Sequence, residues 1–333
     1  MDLDVIFLGT AASAPTATRS TAATLIRRGG ERLLIDCGEG TQRRLMRSAA
    51  GLGDLDTILL THVHADHTLG LPGLLKTFAL RERTAPLALY GPPGTRALMR
   101  VMQPLIGRLP FPFATVEVEP GGEVSGDGYT LHAPATRHRV ASVAWALVED
   151  DRPGRFDVAE ARRRGVPAGP LFGLLQQGHD VTLDDGTVVV ADGVVGEART
   201  GRRLVFSGDT RPCDAVLAAA LDADVLVHEA TFLDADLDRA RETLHSTARE
   251  AAELAREAGV ALLALTHVST RYPVRAIKAE ARAVFAGTVV PRDLDLVDVP
   301  FPERGEPRMV RGGGAAQADV EAPVAGQVRP EVT

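Results

Sequence analysis

Cysteine and lysine are scarce in this 333-residue sequence, which contains two cysteines, Cys37 and Cys213, and two lysines, Lys76 and Lys278. Two cysteines cannot build a disulfide framework or a cysteine-rich zinc module, so a reducing compartment is expected. Apolar runs are too short to reach the ~18 residues of a membrane span. Acidic residues stand at positions 2 and 4, where a signal peptide carries basic ones. These absences predict a cytoplasmic protein without a membrane partner.

The charge and hydrophobicity of the chain exclude two further classes of protein. The formal net charge is −7, which argues against a protein that coats nucleic acid through its overall field. Arginine supplies 35 of the 37 basic residues, and its planar guanidinium suits phosphate, although most surface arginine clusters are simply solvated. Hydrophobic residues make up 45% of the sequence, which supports a sizeable core and excludes a wholly disordered chain.

The alternation of short apolar runs with amphipathic stretches is typical of a layered α/β protein. Helices are predicted over 94–106 and 249–258, and Gly259 ends the second. Strands are predicted at 5–8, 23–26, 33–35, 57–60, 204–206, 224–227 and 260–265. A Gly29-Gly30 turn joins two of the early strands in a hairpin.

Two segments depart from this pattern. Residues 150–200 are rich in glycine, proline and charge, with one short helical stretch near 158–164, which predicts an inserted arm rather than a second core. From Glu303 onward the sequence lacks large apolar periodicity, which predicts a disordered tail over 303–333. We therefore expect one domain over residues 1–302 that includes the arm.

The strongest chemical signal is the sequence THVHADH at 61–67, which follows a predicted strand. His62, His64 and His67 are three of the nine histidines, and Asp66 stands among them. Imidazole and carboxylate together suit zinc or a similar first-row cation. Histidines are seldom packed so densely as satisfied core residues. The motif therefore predicts a metal site, in which the first two histidines can face one ion while Asp66 and His67 face a second.

Three more polar residues, His138, Asp209 and His267, come at the ends of apolar runs, where an open α/β sheet presents its active-site loops. Each is ambiguous alone, because a lone histidine there is more often not a ligand and Asp209 could make a turn or cap a helix. Together with the first cluster they complete a shell of five histidines and two aspartates for two ions about 3.5 Å apart. Asp209 could bridge the pair.

The His-x-His-x-Asp-His motif resembles the mark of the metallo-β-lactamase superfamily, which implies a four-layer αββα fold of the α/β class. Within that superfamily the chain is similar to the ribonuclease Z family, endonucleases that mature the 3′ ends of tRNA. The similarity runs from about residue 3 to residue 302 and rests on eight motifs in order. They are FLGTAASAP, LIDCGEGTQRRL, LTHVHADHTLGLPGLL, PAGPLFGLL, VFSGDTRP, LVHEATF, LHSTAREAA and LTHVSTRY.

The resemblance implies a zinc-dependent hydrolase that cuts the 3′ trailer from precursor tRNA, leaving a 3′-hydroxyl on the tRNA and a 5′-phosphate on the trailer. It implies two zinc ions per subunit, with manganese or iron as alternatives. One ion would be held by His62, His64, His138 and Asp209, and the other by Asp66, His67, Asp209 and His267. Asp66 would also orient the attacking water and accept its proton.

The resemblance further implies that Glu229, in HEATF, and His245, in LHST, supply the proton that the departing 3′ oxygen needs. A structural role is the alternative, because Ser246 and Thr247 precede a predicted helix and Glu250 is placed for a capping box. The residues by themselves leave both roles open.

In the ribonuclease Z family the segment that corresponds to residues 150–200 grips tRNA away from the cut. The candidate substrate contacts that follow are Arg152, Arg155, Gly169 and Pro170, together with Arg19 near the start of the chain. Gln176-Gln177 stands where relatives carry lysines, so a weaker grip on phosphate is expected. The family also forms homodimers in which one subunit's arm serves the other's site, and the same is expected here.

Two other functions fit parts of the pattern. A hydrolase of the same fold acting on a small ester or phosphodiester would have an open small-molecule cleft and would not need the arm. A non-enzymatic RNA-binding scaffold would tolerate the loss of ligand positions, whereas all seven are filled. The loop that senses a CCA end in the family is matched here by Arg19 but not by Ala17 and Ser20, which stand where relatives carry lysine and asparagine.

Overall fold

The computed structural model describes residues 1–53 and 55–312 of the chain. The strands in this part are β1 Leu3–Gly9, β2 Ala23–Arg28, β3 Glu31–Ile35, β4 Leu55–Leu59, β5 Leu87–Gly91, β6 Phe113–Glu117, β7 Glu123–Ser125, β8 Tyr129–His132, β9 Trp145–Glu149, β10 Val181–Thr182, β11 Val188–Val189, β12 Arg203–Phe206, β13 Val225–Glu229, β14 Leu262–Thr266, β15 Thr288–Val289, β16 Leu296–Asp298 and β17 Arg308–Val310. The α-helices are α1 Thr41–Arg47, α2 Ala65–Thr68, α3 Leu71–Leu80, α4 Thr95–Ile106, α5 Val158–Arg163, α6 Pro170–Gln176, α7 Asp214–Ala220, α8 Leu237–Thr243, α9 Ala248–Ala258 and α10 Val274–Arg282. The seven predicted strands and two predicted helices are confirmed, with ends that differ by at most two residues.

Two large sheets face each other across a shared apolar core. The first has the order β17-β16-β1-β2-β3-β4-β5-β6 and the second β15-β14-β13-β12-β9-β8-β7. Phe7 and Leu59 from the first sheet pack with Trp145 and Phe206 from the second, and all four are buried. β13 is buried along its whole length, and its first three residues are apolar, as expected of a strand that is covered on both faces.

Helices cover the outer face of each sheet. Buried residues of α1, α3 and α4 pack on the first sheet, and buried residues of α7, α9 and α10 pack on the second. The four layers are helix, sheet, sheet and helix, which confirms the predicted αββα architecture of the α/β class. Among the described residues, no helix is both long enough and apolar enough to span a bilayer.

One edge of this sandwich collects the loops that follow parallel strands. In the second sheet β12, β13 and β14 run parallel, so their carboxyl ends lie side by side. In the first sheet β4 runs parallel to both β3 and β5. Loops at the carboxyl ends of parallel strands are where α/β proteins bind ligands. The THVHADH loop after β4 therefore meets the loops after β12, β13 and β14.

The inserted arm has a small apolar core, so the prediction of an arm without one is wrong on this point. A backbone pair between Arg152 and Arg199 forms its root, and α5, α6 and the β10–β11 hairpin lie beyond it. Its buried side chains are Ala161, Val166, Leu175, Val181, Val189, Ala191 and Val194. These residues follow neither a helical nor a strand period, which is why the sequence pattern did not indicate them.

The predicted tail begins too early. Residues 308–310 form β17, which pairs with β16 and extends the first sheet, so the expectation of disorder is wrong for residues 303–312. Met309 packs against the core between the sheets. A three-residue edge strand takes most of its order from backbone hydrogen bonds to its neighbour, and such pairing leaves little pattern in the sequence. The rest of the predicted tail, 313–333, lies outside the described residues.

Candidate active site

Three histidine rings converge at the edge of the sandwich. The THVHADH loop leaves β4 and brings His62 Nε2 to 3.0 Å from His64 Nδ1. His138, from the loop between β8 and β9, places its Nε2 at 3.2 Å from the same Nδ1 atom. Three imidazole nitrogens this close cannot all be satisfied by one another, because each neutral ring offers one donor and one acceptor. Their lone pairs instead suit a shared cation.

A second group lies beside the first and is made of two histidines and two aspartates. His267 Nε2 is 3.2 Å from Asp66 Oδ2 and 3.4 Å from Asp209 Oδ2. His67 Nε2 is 3.7 Å from Asp66 Oδ2 and 3.4 Å from Asp209 Oδ1. The ligand atoms of this group all lie within 4.8 Å of one another. Nitrogen and carboxylate oxygen in this number match the coordination of a first-row divalent cation.

Asp209 stands between the two groups. Its Oδ2 atom is 3.8 Å from His62 Nε2, in the first group, as well as 3.4 Å from His267 Nε2, in the second. The residue follows β12 by three positions and is buried. The structure thus brings together all seven residues that the sequence analysis selected, and it gives Asp209 the position expected of a bridging carboxylate.

In four of these histidines the Nδ1 atom, on the side of the ring away from the site, has a hydrogen-bond partner in the protein. The nearest partner atoms lie 2.7–3.2 Å away and are Thr61 Oγ1 for His62, Asp36 Oδ2 for His67, Leu244 O for His138 and Thr231 Oγ1 for His267. Such contacts fix the tautomer and the orientation of a histidine that binds metal. Asp36 also accepts hydrogen bonds from the backbone and the hydroxyl of Thr61.

Burial and neighbouring carboxylates shift the pKa values of the residues in the cluster. Burial lowers the pKa of His62, His64 and His138, so these rings are neutral, as metal ligands must be. Burial alone would also lower the pKa of His67, but the carboxylates of Asp209 and Asp36 raise it well above its usual value, so a cation bound here would displace a proton from this ring. The surrounding histidines hold the pKa of Asp209 well below its ordinary range despite burial.

Two buried atoms at the centre of the site show how well it fits a metal. Among the described residues, neither His67 Nε2 nor Asp209 Oδ1 has a hydrogen-bond partner of acceptable geometry. An unsatisfied polar atom buried away from water is costly, so such atoms are rare in proteins unless an ion or a water binds them. A divalent cation held by His67 and Asp209 would satisfy both atoms.

Glu229 and His245 form a separate pair beside the cluster. His245 Nδ1 is 2.8 Å from Glu229 Oε1, and its ring stacks at 5.4 Å on that of His267. Burial lowers the pKa of His245, but the Glu229 carboxylate outweighs this effect and raises it to about 9. The ring is therefore protonated at neutral pH. The capping box at the start of α9 is made by Thr247 and Glu250, which leaves the His245 side chain facing the site.

The structure does not bring the five candidate substrate contacts together. Arg19 donates to the carbonyl oxygen of Pro291, at 3.0 Å, and to Thr10. Arg152 lies at the root of the arm in a two-point ion pair with Glu303. Arg155 is exposed near that root, and Gly169 and Pro170 are exposed at the start of α6. The five candidates thus lie in three places: the root of the arm, the start of α6 and a loop of the main domain.

Three residues of the site had no role in the sequence analysis. Asp36 and Thr231 hold His67 and His267 from outside, and the backbone N–H of Ser13 donates to Asp66 Oδ2 at 2.9 Å. The sequence did offer a signal for Asp36, because this acidic residue comes directly after ERLLI, the residues of β3. Nothing in the local sequence pattern indicates the other two contacts.

Comparison with known proteins agrees with this geometry. The sequence profile of the Metallo-beta-lactamase superfamily matches residues 17–267. A Ribonuclease Z of Haloferax volcanii is 47% identical over 320 residues, which cover 95% of this chain and 99% of that protein. A Ribonuclease Z of Gemmatimonas aurantiaca is 49% identical over 308 residues, covering 91% of this chain and 98% of that protein.

Solved structures extend the comparison to the fold. The crystal structure of the short form of human tRNase Z superposes with a TM-score of 0.65 and 28% identity, covering 89% of this chain and 99% of that one. A diphosphatase of the PhnP family superposes with a TM-score of 0.61 at 17% identity, covering 90% of this chain and 98% of that one. The second likeness concerns the fold alone, which therefore does not determine the substrate.

Proposed function

The chain belongs to the ribonuclease Z family of the metallo-β-lactamase superfamily, and we propose from its site that it removes the 3′ trailer from precursor tRNA in the cytoplasm. The observation that carries the proposal is the His245–Glu229 pair, with Nδ1 and Oε1 2.8 Å apart, beside two adjoining groups of metal ligands. Water attacks the phosphorus, the bond from phosphorus to the 3′ oxygen breaks, and the products are a tRNA 3′-hydroxyl and a trailer 5′-phosphate.

We propose two zinc ions per subunit as cofactors, with manganese or iron as substitutes. The first would be held by His62, His64, His138 and Asp209, and the second by Asp66, His67, Asp209 and His267. When bound, such a pair lowers the pKa of water and stabilises negative charge on the phosphate oxygens. The neutral imidazoles of the first group and the two carboxylates of the second support this assignment.

In the proposed mechanism Asp66 orients the attacking water and accepts its proton. Its Oδ2 atom already accepts the Ser13 N–H and lies within 3.2 Å of His267 Nε2. Hydrogen bonding to His267, together with the positive charge of His67, holds the pKa of Asp66 far below its usual value in spite of burial. The carboxylate is therefore ionised at neutral pH and able to accept a proton.

His245 delivers a proton to the departing 3′ oxygen, and Glu229 holds the ring. Glu229 Oε1 also accepts the backbone N–H of Thr210 at 2.8 Å, and Oε2 accepts the Thr231 hydroxyl at 2.6 Å. With both oxygens engaged, Glu229 stays ionised and fixed, which keeps the imidazolium in one orientation. Thr231 links this pair to His267, so the acid and the metal ligands are held by one hydrogen-bond network.

The arm is the proposed tRNA grip, with Arg155 and the Gly169-Pro170 turn exposed for contact. It carries nine acidic residues against six arginines over 150–200, and Arg163 and Arg164 pair with Glu160. Phosphate contact supplies most RNA affinity and is salt-dependent. We therefore expect the arm to contribute modestly to affinity, and mainly by shape.

We also propose a homodimer, on the support of exposed apolar side chains on neighbouring helices. Leu80 at the end of α3 is 74% exposed, and Val101 and Leu105 on α4 are 77% and 72% exposed. Helices α3 and α4 pack in the same part of the core, and exposed apolar side chains across two such helices favour a protein interface. Replacing both Val101 and Leu105 with glutamate should shift a dimer to a monomer in sedimentation velocity at micromolar protein. Leu221→Glu, on another face, is the control; a double variant that remains dimeric would argue against this interface.

The proposal is tested by incubating the protein with a precursor tRNA labelled on its 3′ trailer. Cutting next to the discriminator base should occur with zinc or manganese and should stop after chelation. A small-substrate hydrolase would instead cleave a chromogenic phosphodiester and leave the precursor intact. Deletion of residues 153–198 further distinguishes the endonuclease from the small-substrate hydrolase. The deletion should weaken cleavage of the precursor and leave hydrolysis of a small ester unchanged.

A further inference from the structure

The loop over residues 10–20 touches two of the proposed ligands of the second metal. The backbone of Val268, which directly follows His267, donates to Thr10 O at 3.0 Å and accepts from the Ala12 N–H at 3.2 Å. One residue further along the loop, the Ser13 N–H donates to Asp66 Oδ2 at 2.9 Å. The loop thus holds the backbone next to His267 and the carboxylate of Asp66 in position.

Both contact points have unusual backbone geometry. His267 has a φ angle of 52° and Ser13 has a φ angle of 59°. Residues with a side chain seldom adopt this left-handed conformation, and they keep it only where the surroundings hold them there. Residues 13–15 are exposed, so packing does not constrain this stretch of the loop. The constraint comes from the hydrogen bonds of Ala12 and Ser13 and from the ends of the loop.

Asp293 joins those two ends. Its Oδ1 atom accepts the hydroxyl of Thr10 at 2.8 Å, and its Oδ2 atom accepts the N–H of Ser20 at 2.7 Å. Its side chain is only 2% exposed, and Arg44 balances its charge at 3.0 Å. Arg44 Nε also donates to the Ser20 hydroxyl at 2.7 Å. A buried carboxylate, brought from the connection between β15 and β16, therefore holds the two ends of the loop together, beside the backbone hydrogen bond from the Ala11 N–H to Ser20 O at 2.9 Å.

We propose that Asp293 is a positioning residue that clamps the loop over 10–20 and through it sets Asp66 and His267 for the second metal. Its side chain does not touch the ligand groups, so it acts through the backbone of the loop. The inference rests on the proposed function insofar as Asp66 and His267 hold that metal. It assigns a role in metal affinity to a residue that none of the metal-binding motifs contains.

The test uses the whole protein with Asp293→Ala and Asp293→Asn, titrated with zinc against a chromophoric chelator in the absence of RNA. The unaltered protein should bind two zinc ions, and Asp293→Ala should bind one of them up to about 10-fold more weakly. This is the low end of the loss seen when a direct hydrogen-bond partner of a ligand is removed, because Asp293 acts one step further out. Asp293→Asn should fall between, since its amide oxygen can still accept one of the two donors. On precursor tRNA, kcat should fall, as expected from weaker metal binding.

Asp224→Asn is the matched control. Burial raises the pKa of both carboxyls, and Asp224 likewise accepts a backbone N–H, that of Arg203 at 2.7 Å. It lies before β13, at the end of the strand opposite to the site, so its loss should lower the melting temperature without changing zinc affinity.

The inference is overturned if Asp293→Ala binds both zinc ions as the unaltered protein does, or weakens both equally. A protein that binds two zinc ions yet leaves precursor tRNA intact would remove the proposed substrate. The chelator titration would still decide the role of Asp293 in that case.

Discussion

Asp209→Ala is expected to abolish both metal binding and precursor cleavage, because this one carboxylate reaches both ligand groups. Its Oδ2 atom lies 3.8 Å from His62 Nε2 and 3.4 Å from His267 Nε2, and its Oδ1 atom lies 3.4 Å from His67 Nε2. The rate should fall by more than about 10³, above the usual cost of removing one charge-stabilising donor. Metal content after gel filtration and single-turnover cleavage rates measure the two effects.

The control for Asp209→Ala is the melting temperature of both proteins after chelation, which compares their folds without metal. A variant that still carries two metal ions per chain and cuts the precursor within tenfold of the normal rate would contradict the bridging position. Loss of one ion alone would instead mean that Asp209 serves a single group.

His245→Ala is expected to slow precursor cleavage by about 10²–10⁴, the usual contribution of a general acid. The physical reason is that Glu229, at 2.8 Å, keeps the ring protonated beside the cluster. A precursor with sulfur in place of the departing 3′ oxygen needs no such proton, because a thiolate is a far better leaving group than an alkoxide. On that substrate the variant should approach the rate of the unaltered protein, and metal content should stay at two ions.

His132→Ala is the matched control for His245→Ala. His132 forms the same kind of pair, with its Nδ1 at 2.9 Å from Glu123 Oε1, but it lies on β8 away from the cluster. This variant should cleave both substrates normally. If sulfur substitution did not rescue His245→Ala, the histidine would have a role in binding or structure rather than in proton delivery.

The sequence predicted the residues of the candidate site but not the hydrogen bonds that orient them. His62, His138, Asp209 and His267 each follow an apolar run, and the carboxyl ends of neighbouring strands meet, so the sequence order already indicates that they converge. Which ring nitrogen of His138 faces the site depends on its contact with Leu244 O. Leu244 lies more than a hundred residues further along the chain. No pattern of spacing records a contact of that kind.

The arm and the chain end illustrate the same limit. The amphipathic pattern of α9, its Thr247–Glu250 capping box and Gly259 are local features, and their prediction from sequence is confirmed. The small core of the arm joins residues without any period, and β17 depends on an open edge of β16 to pair with. Order of that kind comes from neighbours in space and is invisible in the segment itself.

The sequence by itself determined the fold class, the family and the set of residues that meets at the site, because hydrophobic periodicity and motif order are carried by the chain. Only the tertiary structure decided the clamp at Asp293, the hold of Asp36 on His67 and the extent of the ordered chain. These depend on hydrogen bonds between distant segments. A donor finds its acceptor only after the sheets have stacked, so the choice of partner is a property of the folded molecule.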